Sequence, residues 1–244
     1  MSDITLVVTS CNRFDLLEET LASLEAAEPK GFARRIIVED SGDEAMAARI
    51  RNRFPDYDLI FNQPGLGQMR AIDRAYREVA TPYVFHCEDD WRFERGPFLD
   101  LCRSVLNAHP EVSVACVRQT AELHPKYRAK LRPLPGAAPS VRLMPASAHP
   151  EWFGYSFNPS LVRLETFQRY GPFAGHGSEE ILSYRLKRDG FSMTYLEPGS
   201  AVHTGIDAHV AGPDRKGRAK AFWPKLQRSI DKRVTRIKRR LGDD

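Results

Sequence analysis

Tyr83-Val84-Phe85-His86-Cys87-Glu88-Asp89-Asp90 is an apolar run that ends in three consecutive carboxylates. An apolar run of this length reads as a buried strand. Three anions at its carboxyl end repel one another unless a cation lies among them. Hard divalent ions take oxygen ligands and bridge carboxylates to phosphates. A solvated acidic turn at the head of the next helix is the plainer reading, and the triplet alone does not choose between the two.

Working outward, short apolar runs alternate with amphipathic ones. Strands are expected at 4–9, 35–39, 57–61, 82–87 and 112–117. Between them, helices are expected at 14–27, 44–54, 66–79 and 97–107, each with apolar side chains three or four apart, such as Leu17, Leu21 and Leu24. Strand, helix, strand in this order implies right-handed crossovers and a mostly parallel central sheet with helices on both faces, an α/β fold. Ligands of such sheets bind beyond the carboxyl ends of the strands. The polar residues leaving those ends are Thr9-Ser10-Cys11-Asn12-Arg13, Asp40-Ser41-Gly42-Asp43, Asn62-Gln63-Pro64-Gly65-Leu66-Gly67 and the acidic triplet.

The alternation breaks at 118–150. Pro125, Pro133, Pro135, Pro139 and Pro145 exclude long regular elements there. A long loop in a compact domain is often a lid; a surface excursion without a role is the alternative. Beyond it, helices are expected at 165–170 and 178–189, the second closed by Gly190. A strand follows at 191–196, then the apolar stretch Ala201-Val202-His203. Trp91 and Trp152-Phe153-Gly154-Tyr155 offer aromatic faces on which a ligand could stack, although core packing is the more general use of such side chains.

Of the 244 residues, 36 are Lys or Arg and 32 are Asp or Glu. The basic excess belongs to 213–244, which holds 12 Lys/Arg against 4 Asp. The remainder is net acidic, so no nucleic-acid partner is expected. Residues 213–244 carry Phe222, Trp223, Leu226, Ile230, Val234, Ile237 and Leu241 at helical spacing among basic residues. That pattern is a C-terminal basic amphipathic helix, fitted to an anionic membrane surface or to packing on a domain or dimer partner. Four cysteines without a Cys-x-x-Cys pair fit a reducing compartment. No signal-peptide pattern and no apolar run of spanning length is present.

Thr9-Ser10-Cys11-Asn12-Arg13, Val38-Glu39-Asp40-Ser41-Gly42, Gly67-Gln68-Met69-Arg70-Ala71-Ile72 and Glu88-Asp89-Asp90, in this order and spacing, resemble the nucleotide-binding half of family 2 glycosyltransferases with the Rossmann-like GT-A fold. The resemblance covers 4–91 closely and 151–205 more loosely. It implies a glycosyltransferase domain over 1–212, with a nucleotide-sugar-binding half at 1–117, a loop at 118–150 and an acceptor half at 151–212. It places Thr9, Arg13, Asp40, Arg70 and Asp89 against a UDP- or GDP-sugar donor. Asp90 stands where the family's DXD motif holds a divalent metal, Mn2+ or Mg2+, and His203 where some members supply a further ligand, with His209 as the substitute. Gly177-Ser178-Glu179-Glu180 resembles the motif whose acid deprotonates the acceptor hydroxyl, as a carboxylate suited to inversion does. The chain has Glu-Glu where the family has Glu-Asp. Aligning Ser183-Tyr184-Arg185-Leu186 assigns the base to Glu179, and aligning the acidic pair assigns it to Glu180; Glu179 is preferred.

What the resemblance implies is sugar transfer to a glycan or lipid-linked acceptor, at a cytoplasmic or inner-membrane-surface location, for bacterial surface polysaccharide or glycolipid. Two alternatives stay open. A nucleotidyltransferase would need a glycine-rich, basic loop after the first strand, and residues 9–14 contain no glycine. A catalytically inactive GT-A module that binds sugars or partners draws on the Glu-for-Asp departure.

Overall fold

The computed structural model describes residues 2–205. The first half runs β1 (Ile4–Ser10), α1 (Phe14–Ala27), β2 (Arg34–Glu39), α2 (Glu44–Arg53), β3 (Asp58–Phe61), α3 (Gln68–Arg77), β4 (Tyr83–Glu88), β5 (Trp91–Phe93), α4 (Leu99–Ala108) and β6 (Val112–Cys116). The second half runs α5 (Pro125–Arg128), β7 (Arg132–Pro133), β8 (Val141–Met144), β9 (Ser160–Arg163), α6 (Leu164–Tyr170), α7 (Glu179–Arg188), β10 (Ser192–Leu196) and β11 (Ala201–His203).

Nine strands form one sheet in the order β3-β2-β1-β4-β9-β6-β10-β8-β7. β1 pairs in parallel with β2 and β4, β2 with β3, and β6 with β10. Only β9 and β8 run against the rest. All seven residues of β1 are buried because helices cover both of its faces. One face packs on Leu17, Leu21 and Leu24 of α1, Ile50 of α2 and Val105 of α4. The other packs on Ile72 and Tyr76 of α3 and Leu182 and Leu186 of α7. Each fully buried apolar side chain of this kind contributes roughly 1.5–3 kcal/mol, so the apolar stripes hold the layers together. Cys87, Cys102 and Cys116 are buried free thiols and act as part of this core.

Helix ends follow local chemistry. Asp43 Oδ1 accepts from the Ala45 amide at 2.9 Å and so caps α2. Ser178 Oγ accepts from the Ile181 amide at 3.3 Å and caps α7. Glu179 and Glu180 in its first turn and Lys187 and Arg188 in its last match the helix dipole. Gly190 follows at φ 91°, a conformation that costs glycine little.

The structure differs from the sequence expectation in three places. The segment 118–150 is not a free loop: β8 pairs with β10 inside the main sheet, and β7 extends the edge. β9, unmarked by any periodic pattern, inserts antiparallel between β4 and β6. β5 and β11, three residues each, form a separate antiparallel ribbon in which His203 lies opposite Trp91. No helix among the described residues is long and apolar enough to cross a membrane. The basic amphipathic helix expected at 213–244, and His209, lie outside the described residues.

Candidate active site

β4 delivers the acidic triplet to the carboxyl edge of the sheet, where Glu88 lies beside Thr9 of β1. The β5–β11 ribbon folds back over that edge. Its pairing brings His203 Nε2 to 3.3 Å from Asp90 Oδ2, and the Thr204 amide donates to the Asp90 carbonyl at 2.9 Å. A Cβ at Gly205 would overlap the Asp90 carboxylate, so only glycine lets the backbone approach this closely. Glu122 holds the ribbon from the opposite side by accepting from the His203 amide at 2.9 Å, and Arg118 Nε pairs with Glu122 at 3.0 Å.

Arg13, at the head of α1, spans two members of the triplet. Its guanidinium pairs with Asp89 and donates to Asp90 Oδ2 at 2.7 Å. Asp89 is fully buried, and its backbone carbonyl accepts from Thr20 Oγ1 at 2.9 Å. Burial pushes the Asp89 carboxyl up to about 6 even though Arg13 pulls it down. Loss of water and the nearby charges of Asp90 and Glu179 push Glu88 up to about 8. Gln68 Nε2 donates to Glu88 at 2.6 Å. The triplet thus sets three carboxyl groups beside one guanidinium, Arg13.

Asp90 Oδ1 is buried and has no hydrogen-bond partner. A buried carboxylate oxygen without a partner costs free energy unless a ligand takes it. One carboxylate oxygen and one imidazole nitrogen suit a manganese-like or magnesium-like ion, which completes its shell with phosphate oxygens and water. Among the described residues no group of three or more His, Cys, Asp or Glu side chains is arranged for a metal. Asp90 and His203 therefore fit a cation shared with a phosphate-bearing ligand, not a closed protein cage.

Asp40, expected against the donor, is bonded to the loop that follows β3. Its Oδ1 accepts from Asn62 Nδ2 at 2.7 Å and from the Leu66 amide at 2.8 Å, and its Oδ2 from the Gly67 amide at 2.7 Å. These bonds shape the entry to α3. On the next turn Arg70 is exposed and makes no hydrogen bond or ion pair among the described residues. Thr9 is buried between Val38 and Glu88 on the adjoining strands.

Glu179 reaches the same edge from α7. It lines a 310 Å³ cavity together with Ser156, Asn158, Tyr127 and Arg118, whereas Glu180 is not among the lining residues. Its Oε1 accepts from the Phe157 amide at 3.1 Å. Burial raises its pKa against the opposing pull of that bond and of Ser156. His176 is held by the Tyr170 carbonyl, with its Nε2 2.8 Å away. Arg118, Glu122 and Asn158 lie in no motif and carry no periodic signal, and Gln68 sits inside a motif without a role of its own. Only Asn12, at φ 58°, carries a usable sign, since asparagine tolerates that conformation.

The profile of the family described as Glycosyl transferase family 2 matches residues 5–170. The chain belongs to glycosyl transferase family 2. Two solved structures share the GT-A fold of this family 2 chain. GalNAc-T7, solved with UDP, GalNAc and Mn2+, aligns with a TM-score of 0.59 at 11% identity, over 82% of this chain and 43% of its own. The mannosyltransferase PcManGT from Pyrobaculum calidifontis, in complex with GDP-Man and Mn2+, aligns with a TM-score of 0.54 at 15% identity, over 84% of this chain and 58% of its own. The family 2 chain therefore spans about half the length of these structures. No curated protein matches it.

Proposed function

We propose that this family 2 chain moves a sugar from a nucleotide-diphosphate sugar to an acceptor hydroxyl, with a divalent metal and with inversion at the anomeric carbon. The observation that carries the reading is the orphaned Asp90 Oδ1 beside His203, with Glu179 on the cavity at the same sheet edge. Asp90 and His203 would hold the metal, which when bound neutralises charge on the leaving diphosphate. Arg70, exposed and unpaired, is free to meet the donor's phosphates. Asp40 acts on the donor through the 62–67 loop that it shapes. Thr9 and Asp89, buried at the same sheet edge, would meet the donor, and Arg13 pairs with Asp89 and opposes the rise in its pKa that burial causes. Glu179 removes the acceptor proton as the hydroxyl attacks, and its raised pKa makes it a stronger base than an ordinary glutamate.

The test is to incubate the protein with Mn2+ and a panel of UDP- and GDP-sugars and to measure release of nucleoside diphosphate. Release that needs the metal supports the reading. No donor binding and no turnover across the panel would refute it, and donor binding without turnover would point to the inactive-module alternative. The tail at 213–244 is proposed to bring the enzyme to an anionic membrane surface, where a lipid-linked acceptor for surface polysaccharide or glycolipid would lie. Recovery wholly in the soluble fraction, unchanged by deleting 213–244, would exclude that location.

A further inference from the structure

The segment 149–157 contains no long regular element, yet it is the most heavily tied stretch beside the cavity. Glu179, Ser183 and Lys187 lie four residues apart on one stripe of α7. Glu179 holds the Phe157 amide. Ser183 Oγ accepts from the Gly154 and Tyr155 amides at 2.9 and 3.3 Å and donates to the Glu151 carbonyl at 3.0 Å. Lys187 Nζ donates to the Trp152 carbonyl at 3.1 Å and to the His149 carbonyl. From the sheet, Ser113 Oγ donates to the Gly154 carbonyl at 2.6 Å. A Cβ at Gly154 would overlap the Ser183 carbonyl oxygen, so the segment lies directly on the helix.

These ties hold Phe153 at φ 75°, a conformation that a bulky side chain adopts only when its surroundings impose it. The strain turns the Phe153 ring into the cavity. There it meets Tyr127 edge to face, with centroids 5.1 Å apart and planes at 64°. Trp152 and His124 complete the wall. The lining also carries the polar side chains of Glu179, Ser156 and Asn158. A cavity lined by both aromatic rings and hydrogen-bonding side chains suits a ligand with an apolar C–H face and a hydroxyl edge.

We infer that the corner formed by Tyr127, Trp152 and Phe153 is the acceptor subsite, that it takes a pyranose ring, and that Ser183 and Lys187 are positioning residues that set this corner at a fixed distance from Glu179. The inference rests on the proposed transfer reaction, because it identifies the acceptor as a saccharide. Helix α7 then carries the base and the platform on one rigid stripe, so the acceptor hydroxyl is aligned before the donor arrives.

The test uses the full chain and methyl pyranosides of glucose, galactose, mannose and N-acetylglucosamine, observed by saturation-transfer difference NMR without donor. At least one should bind, with transfer strongest to one ring face. Phe153→Gly removes the ring while relieving the strained φ, so it should melt no lower than the parent. It should nevertheless weaken glycoside binding about tenfold, as should Tyr127→Ala. In turnover, Phe153→Gly should raise the acceptor KM by a similar factor and leave the donor KM unchanged. Ser183→Ala should lower kcat more than it raises KM, since it moves the platform without removing it. Three results would overturn the inference: no pyranoside binding, equal binding to Phe153→Gly, or a shift of the donor KM instead. Nucleoside diphosphate binding, measured separately by calorimetry, keeps the two readings apart. Nucleotide binding without glycoside binding defeats only this inference, and glycoside binding without nucleotide binding defeats the transfer reaction and with it the acceptor role, leaving the corner a pyranose-binding site.

Discussion

The two halves of the sheet edge are built by different means. On the β1–β4 side, each candidate position leaves the end of a parallel strand, and backbone pairing over four to six residues sets its place. Asp40, Glu88 and Asp90 arrive in this way. On the β9–β10 side, the aromatic corner at 152–153 belongs to no strand, and the side chains of α7 hold it through the backbone atoms of its neighbours. The first construction tolerates change at any one side chain because many ladder bonds share the load. The second concentrates its load on a few groups.

The largest effect is expected at Glu179, the proposed base. Glu179→Gln should lower kcat roughly 10²–10⁴-fold, whereas Glu180→Gln should leave it nearly intact; equal losses would return the assignment to an open choice. The same residue sets a pH dependence. Its pKa is raised, so the active carboxylate is lost as pH falls through a value above the ordinary glutamate range. The acid limb of the kcat/KM profile should lie correspondingly high, and it should vanish in Glu179→Gln.

Next in size is Asp90→Ala, which removes the orphaned oxygen and the His203 contact. Mn2+ binding, followed by titration calorimetry, should disappear, and metal-dependent turnover should fall about 10²–10³-fold. Gly154→Ala sharpens the contrast on stability. The added methyl has no space against α7 and should cost roughly 1–3 kcal/mol in urea denaturation.

Asp40→Ala strips partners from the Asn62 side chain and from two amides, at about 1–3 kcal/mol. Its donor KM should rise because the 62–67 loop loses its anchor. Arg70→Ala is the mildest. Exposed and unpaired, the residue should change stability by less than about 0.5 kcal/mol, while donor affinity weakens measurably in a binding titration.

Much of the first half was legible because its signals are local. The leucines of 14–27 repeat at helical spacing, and α1 occupies those residues. Ser178 and the acids after it announce the start of α7. The triplet after an apolar strand marked the site edge. What stayed hidden depends on distant partners. β9 is four residues long and looks like any short apolar run until β4 and β6 flank it. The β5–β11 ribbon joins segments over a hundred residues apart with three pairs. The resemblance placed Arg13 and Asp89 with the donor, yet their ion pair follows from the close approach of α1 to the end of β4, and neither motif states it.

The helix and strand periods, the Gly190 stop, the order of polar strand ends and the family are all written in neighbouring residues. The tertiary structure alone decided that His203 reaches Asp90, that Asp40 ties down the 62–67 loop, and that Phe153 is turned against its preferred backbone into the cavity. Each of these depends on a contact between segments remote in the chain, and such contacts exist only once the sheet has closed and its two helical layers have packed.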